Sequence, residues 1–408
     1  MKIGSMWRLG AGPCACVMAL AACSGGGGTG SGPSGGVAGP TPAPTVSPTP
    51  TPTPTPMPKE TATTSDGVTV DIAPIAAFEY PWAINFIPDG RLLVTQAFDG
   101  IRLVAQNGSY SAPLAGLPKG FRAFDIILSA DYATSHKVVI SFDEPGTNGA
   151  EGLAVATAEL VLPTDGEPRF ENFKTIWSQT KTTTAGQFGG KLAFSPDGKY
   201  LFITTGERAT FDPAQDLSNT LGKTIRLFAD GTIPPDNPFV KTPGAMPEIW
   251  TLGHRNPYGI AFDAAGRQWQ HEMGPKGGDE LNLIVPGGNY GWPKVSWGNN
   301  YDGGLIPKPA TGDGYVAPVT YWDPVIAPAG MIIYSGKMFR QWAGYAIMGG
   351  LQSQGLVFVK FNGTSAAEVA RLPLHARIRD VREGSDGAIW VLEDTGTGRV
   401  LRVSPRPN

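Results

Sequence analysis

A chain of 408 residues with 41% hydrophobic content can bury a sizeable core. Its 55 glycines and 38 prolines far exceed ordinary usage and favour a turn-rich, all-β protein over one built on long helices. Only 16% of residues are charged and the net charge is −3, which leaves no basic surface for nucleic acid or anionic lipid; no nucleic-acid partner is expected.

The chain opens with Lys2 and Arg8, then an apolar stretch from Ala11 to Ala22 that ends in small residues before Cys23. This is the make-up of a signal peptide over 1–22, and its apolar run falls short of the roughly 18 to 20 residues that span a membrane. Leu20-Ala21-Ala22-Cys23 resembles the lipobox of bacterial lipoproteins. That resemblance implies cleavage before Cys23, lipidation of Cys23 and attachment to a membrane through the lipid alone. With Ser24 rather than aspartate next in the chain, it implies the outer membrane of the cell envelope, facing the periplasm. An ordinary signal peptide with a chance cysteine is the alternative. Cys14 and Cys16 lie in the segment to be removed, so no disulfide is expected in the mature domain.

From Cys23 to Ser65 the sequence is rich in Gly and Ser and then alternates Thr with Pro between Pro40 and Pro58. Such a stretch cannot bury apolar surface and favours extended polyproline II, so 23–65 reads as a semi-rigid linker.

Residues 66–408 read as one folded domain of short apolar runs broken by tight turns. A unit recurs: Phe86 to Thr95 around Pro88-Asp89-Gly90, Phe194 to Thr204 around Pro196-Asp197-Gly198, and more weakly Phe262 to Arg267 and Gly384 to Leu392. Each copy is a strand, an Asp-Gly or similar turn and a second strand. Hairpins at long intervals suggest radial blades, and about 340 residues at roughly 40 to 50 per blade allow six to eight. The long loops favour a six-bladed β-propeller; a β-sandwich is the alternative.

The long loops carry unusual chemistry. Gly253-His254-Arg255-Asn256-Pro257 precedes His271 to Asn282, which contains Gly274, Pro275, Asp279 and Glu280; Gly288 to Pro293 and Asn299 to Gly303 follow. Accessible carbonyls and carboxylates suit Ca²⁺, although a Gly/Asp-rich loop is also simply a turn. Near the end, Arg377 and Arg379 would point to one face of a strand. They would there make a paired cationic site for carboxylates, or bridge to acidic neighbours on a solvated edge.

Taken in order, these motifs resemble the soluble quinoprotein aldose and glucose dehydrogenases, the glucose/sorbosone dehydrogenase family. The resemblance runs from about Pro81 to Arg402 and includes Phe188-Gly189-Gly190-Lys191-Leu192, Ala214-Gln215-Asp216-Leu217, Leu221-Gly222-Lys223, Gly231 to Phe239 and Pro247-Glu248-Ile249-Trp250. It implies a six-bladed propeller that uses pyrroloquinoline quinone (PQQ) and Ca²⁺ to oxidise the C1 hydroxyl of an aldose sugar to the lactone, with an envelope electron acceptor. By position, Arg255, Asn256, Tyr301, Ala327, Pro328 and Ala329 would contact PQQ, and Arg377 and Arg379 would pair with its carboxylates. Carbonyls of Gly274 and Pro275 would ligate the cofactor's Ca²⁺, Glu280 and Tyr290 would hold a separate structural Ca²⁺, and Trp322 would sit near the sugar.

Three departures from the family pattern stand out. Gln187 occupies the place of the histidine that serves as general base, and a carboxamide has no basic lone pair at neutral pH. Gln352 occupies the place of a cofactor-contacting lysine. Lys119-Gly120-Phe121-Arg122 replaces a glycine-glutamine-glycine-glycine loop. Two functions therefore stand side by side: a PQQ- and Ca²⁺-dependent dehydrogenase, and a lapsed propeller that binds a sugar, PQQ or a protein partner. Should catalysis survive, His271 or a water beside Ca²⁺ is the first candidate for a substitute base.

Overall fold

The structure, a computed structural model, describes residues 57–407. The proposed signal peptide, Cys23 and most of the linker lie outside the described residues.

Six antiparallel sheets are arranged as the blades of a propeller, each entered at an inner strand. The inner strands are Pro81–Phe86, Ala123–Leu128, Gly189–Phe194, Pro257–Phe262, Pro328–Ile333 and Ile378–Glu383, and they define blades 1 to 6. Blade 1 has three strands and blades 2 to 5 have four. Blade 6 is completed by a strand that precedes blade 1, because Thr69–Glu79 pairs with Thr397–Pro405 from Val70↔Pro405 to Glu79↔Thr397. Glu60–Thr63 adds a fifth strand there, pairing with Thr69–Ile72. Part of the segment read as linker is thus folded: Thr61, Thr63 and Thr64 are β-formers, and past the last proline nothing blocks pairing. The only α-helix among the described residues is Tyr132–Ser135.

The recurring sequence unit is the hairpin between the first two strands of a blade. In four blades the glycine N–H closes the turn onto the carbonyl three residues back: Gly90 onto Ile87, Gly198 onto Ser195, Gly266 onto Asp263 and Gly387 onto Gly384. Gly90 and Gly198 adopt φ of 87° and 71°, a region costly for any residue with a Cβ. Apolar layers then fill the spaces between neighbouring blades. Ile84, Leu92 and Val94 of blade 1 meet Trp390, Leu392 and Val400 of blade 6, which seals the ring where the two chain ends join.

Five of the six inner strands are buried over their first four residues and half-buried over their last two, and every one carries a bulge near its start. Their third residues converge on the axis. Lys191 Nζ lies 2.9 Å from Asp380 Oδ1 and 3.4 Å from Asp125 Oδ1, while Arg382 reaches the same two oxygens at 3.0 and 2.9 Å. The two aspartates also accept backbone N–H groups of the next blade, Asp380 from Ile84 and Asp125 from Leu192. Gly330 makes room, since a Cβ there would sit 2.2 Å from Asp380 Oδ1. This four-member ionic bolt crosses the channel; beyond it a cavity of about 330 Å³ opens at the far end, bordered by Asn85, Arg382 and Glu383.

Candidate functional site

All inner strands begin at the same end of the axis, so the residues just before them share one mouth. Gln187, Arg255 with Asn256, Ala327 and Arg377 stand there on four different connections. The structure therefore brings together residues spread over much of the sequence.

Arg255 is 8% exposed and fixed from three sides. Its N–H donates to Glu272 Oε2 at 2.6 Å, its Nη1 donates to the carbonyls of Met273 and Gly274 at 3.0 and 2.6 Å, and its guanidinium lies against Trp292 and Tyr301. Gly274 O thus already serves Arg255 and keeps one lone pair for another partner. Asn256 Oδ1 accepts from Gly189 N at 3.2 Å, tying blade 4 to the strand that follows Gln187.

Arg377 and Arg379 do share a face, and both grip Asp394: Arg377 Nη2 at 2.6 Å from Oδ2, Arg379 Nη2 at 2.9 Å from Oδ1. Burial pushes the Asp394 carboxyl up, but Arg379 and Arg377 outweigh it and hold it below the usual range. The strand is the innermost of its blade rather than a solvated edge, and Arg379 lies 4.2 Å over the Trp82 ring. Asp394 was legible only through pairing, since Ile378 sits opposite Glu393 in the register.

Two carboxylates in the 271–282 loop have different duties. Asp279, expected among the hard oxygen ligands, spends both oxygens on backbone: Oδ1 on Gly274 N at 2.9 Å, Oδ2 on Ile326 N and Ala327 N at 2.8 and 2.7 Å. It braces the turn that presents Ala327, Pro328 and Ala329, and burial pushes its carboxyl up to about 6. Glu280 instead faces Glu272 across Asn282 Nδ2, which reaches both at 3.3 and 3.2 Å. Burial first, and then the Glu272 charge, raise Glu280 well above the carboxylate range. Both acids and Tyr290 line a cavity of about 10 Å³, the scale of a single ion or water. Tyr290 stacks on His254, and its hydroxyl is committed to Leu283 O and Val285 N. Among the described residues no three His, Cys, Asp or Glu side chains converge as metal ligands, so carbonyls must complete any cation shell here. Glu272 Oε1 pairs with His254 Nδ1 at 2.8 Å, while Glu280 faces no basic side chain within ion-pair reach among the described residues, so the two buried acids together fit a divalent cation on charge.

Tyr301 is 66% exposed and stands between two cavities. One, of about 460 Å³, is walled by Phe211, Arg255, Trp292 and Tyr301; the other, of about 710 Å³, by Tyr301, Ala327, Pro275 and Gln352. Gln352 is exposed and neutral where a positive charge would face the second cavity.

Trp322 ends its strand beside the mouth, where its carbonyl accepts from Gly278 N at 2.8 Å and the next residue, Asp323, lines the larger cavity, but its side chain turns away from that cavity. Its indole packs in the core between blades 4 and 5 with Trp269 and Met331 and donates to Glu368 Oε2 at 2.7 Å, because it sits on the outermost strand of its blade. His271 is also displaced from the role of substitute base. It is fully buried, its Nε2 pairs with Ala329 O at 3.0 Å, and burial pushes it down to about 3, too weak a base for a sugar hydroxyl.

Gln187 adopts φ of 48°, and its Oε1 is buried without a partner. Its flanks are held by Arg208, which the sequence reading passed over. Arg208 is fully buried, donates to Gly186 O and Thr184 O at 2.8 and 2.7 Å, and stacks 3.4 Å from the Phe188 ring. Arg122, in the altered loop, also pairs with Asp143 and approaches the same ring at 5.3 Å.

Residues 78–402 match the glucose / sorbosone dehydrogenase family. The chain is 40% identical over 342 residues to the aldose sugar dehydrogenase YliI of Escherichia coli, covering 80% of this chain and 91% of that protein. The apo-form crystal structure of the soluble aldose sugar dehydrogenase of Escherichia coli superposes with a TM-score of 0.78 at 38% identity, over 83% of this chain and all of the other. The PQQ-bound form of the aldose sugar dehydrogenase of Streptomyces coelicolor gives 0.67 at 25% identity, over 86% of this chain and 100% of that one. On sequence, fold and the arrangement at the channel mouth together, the chain belongs to the glucose/sorbosone dehydrogenase family.

Proposed function

We propose that this chain oxidises the C1 hydroxyl of an aldose to the lactone with PQQ and Ca²⁺, passing electrons to an acceptor in the cell envelope. The observation that carries the reading is the convergence of Arg255, Arg377 and Arg379 on one channel mouth, beside the Gly274 and Pro275 carbonyls and the exposed Tyr301. When bound, the quinone supplies the hydride acceptor for C1. Arg377 and Arg379, both anchored on Asp394 through Nε and Nη2, would turn their remaining Nη donors to carboxylates. Arg255 presents a fixed positive charge between aromatic walls, and the Asp279 brace holds the Ala327 turn against the ligand. Gln187 can orient the C1 hydroxyl through its amide but cannot take the proton. That single feature also favours a second reading, in which the site binds its ligand without turning it over.

Titration of the purified protein with PQQ, with and without Ca²⁺, tests this by quinone absorbance and by aldose-dependent dye reduction. Saturable, Ca²⁺-dependent binding with slow dye reduction is expected. Binding without reduction selects the second reading, and no binding overturns both PQQ roles. The Glu272–Glu280 pair makes a further claim: exhaustive chelation should lower the melting temperature, since a cation held at 100 times its dissociation constant adds about 2.7 kcal/mol. An unchanged melt and no Ca²⁺ by metal analysis would remove it.

The location rests on Cys23. Cys23→Ser is expected to move the protein from the membrane to a soluble or unprocessed form in cell fractions. Equal membrane association of parent and variant would refute lipid attachment.

A further inference from the structure

The segment Glu207–Phe211 is the most contorted backbone at the mouth. Arg208, Ala209 and Phe211 have φ of 61°, 55° and 64°, left-handed values that residues with a Cβ avoid and that cluster where structure serves a ligand. Two side chains hold it there. Glu207, fully buried, takes the N–H groups of Thr210 and Phe211 on Oε2 at 2.5 and 2.6 Å, while Arg208 anchors the segment to the Thr184–Gly186 loop. Glu207 Oε1 has no partner, so this carboxylate is kept for the clamp rather than for an ion pair.

The result of this strain is an aromatic ring held in the open. Phe211 is 46% exposed, tilted 30° against Trp292 at 5.5 Å, and walls the 460 Å³ cavity with Arg255 and Tyr301. A phenylalanine placed for stability would be turned inward, as Phe188 is; one held outward over a cavity that also presents Arg255, Asn300 and Asp302 offers its π face to a ligand. The faces of a pyranose carry C–H groups whose partial positive charge complements that face.

We propose that Phe211 is the platform on which the pyranose ring of the substrate stacks, with Glu207 as the positioning residue that holds it. This deepens the sugar-oxidising reading and rests on it. Glucopyranose carries axial hydrogens on both faces, whereas mannopyranose places an axial C2 hydroxyl on the face that bears H4, so a ring stacked by that face selects gluco-configured aldoses.

Saturation-transfer difference NMR with methyl β-glucopyranoside, which has no free C1 hydroxyl to oxidise, reads the contact on protein with or without quinone. Ring-proton enhancements are expected in the parent and in Phe211→Tyr, and are lost in Phe211→Ala. Glu207→Ala should behave like Phe211→Ala, whereas Glu207→Gln, which keeps an acceptor oxygen, should behave like the parent. In the loaded enzyme Phe211→Ala should raise KM for glucose about 10-fold with kcat nearly unchanged, and narrow the preference for glucose over mannose. Absence of enhancements in the parent, or their survival in Phe211→Ala, would overturn the platform. Intact enhancements in a protein that binds no quinone would sink the oxidation reading while leaving the platform standing.

Discussion

Gln187→His is expected to raise turnover about 10²- to 10⁴-fold, the range a positioned general base supplies, with little change in quinone affinity. The site is built to receive such a group. Gly206 N donates to Phe188 O at 2.9 Å, Arg208 holds Gly186 and Asn256 holds Gly189, so the backbone on both sides of position 187 is fixed independently of its side chain. Oε1 has no protein partner, so replacing the carboxamide breaks no hydrogen bond there, and an imidazole in its place would bring a usable pKa. Single-turnover dye reduction in parent and variant, across pH 5 to about 9, reads the effect and should show a new ionisation near the usual histidine value of roughly 6.5. A parent that already turns over as fast as the variant would mean that another group accepts the proton, and His271 is not that group.

Asp380→Ala should cost about 3–5 kcal/mol of stability, because it leaves Lys191 and Arg382 buried at the axis with Asp125 as their one remaining acid. It also strips Ile84 N of its acceptor, loosening blade 1 from blade 6. Adding Lys191→Met to Asp380→Ala should recover part of the loss by removing the stranded charge. Urea or thermal denaturation of the three proteins measures this. Equal stability of Asp380→Ala and parent would show that the ionic bolt contributes nothing net.

Why some of this was legible in the sequence and some was not follows from how far apart the partners lie. The hairpins were readable because a turn such as Pro88-Asp89-Gly90 is decided by adjacent residues, and repetition of that unit implied blades. The mouth was readable through the order of its motifs, and Arg377 with Arg379 through alternation along one strand. The bolt was not, since Asp125, Lys191 and Asp380 meet only once the six blades close into a ring and bring blades 2, 3 and 6 together. Asp279 looked like a ligand because composition cannot tell an oxygen offered to a cation from one spent on backbone N–H groups. The burial of the Trp322 side chain against Glu368 was hidden for a related reason: position along a motif does not say whether a strand is the first or the last of its blade.

The joining of Thr69–Glu79 to Thr397–Pro405 also sets the order in which the molecule can be made. A chain that emerges from its amino terminus must hold that strand without its mate until Thr397–Pro405 has been synthesised. Blades 2 to 5 are each contiguous in sequence and can form as they appear, but the sheet that closes the circle depends on the greatest sequence separation in the domain and should be the slow step. Until then two unpaired strand edges, one at each end of the growing arc, are open to pairing with other copies. Deleting either terminal strand would leave those edges permanently exposed, so truncation there should produce aggregation rather than a smaller working propeller.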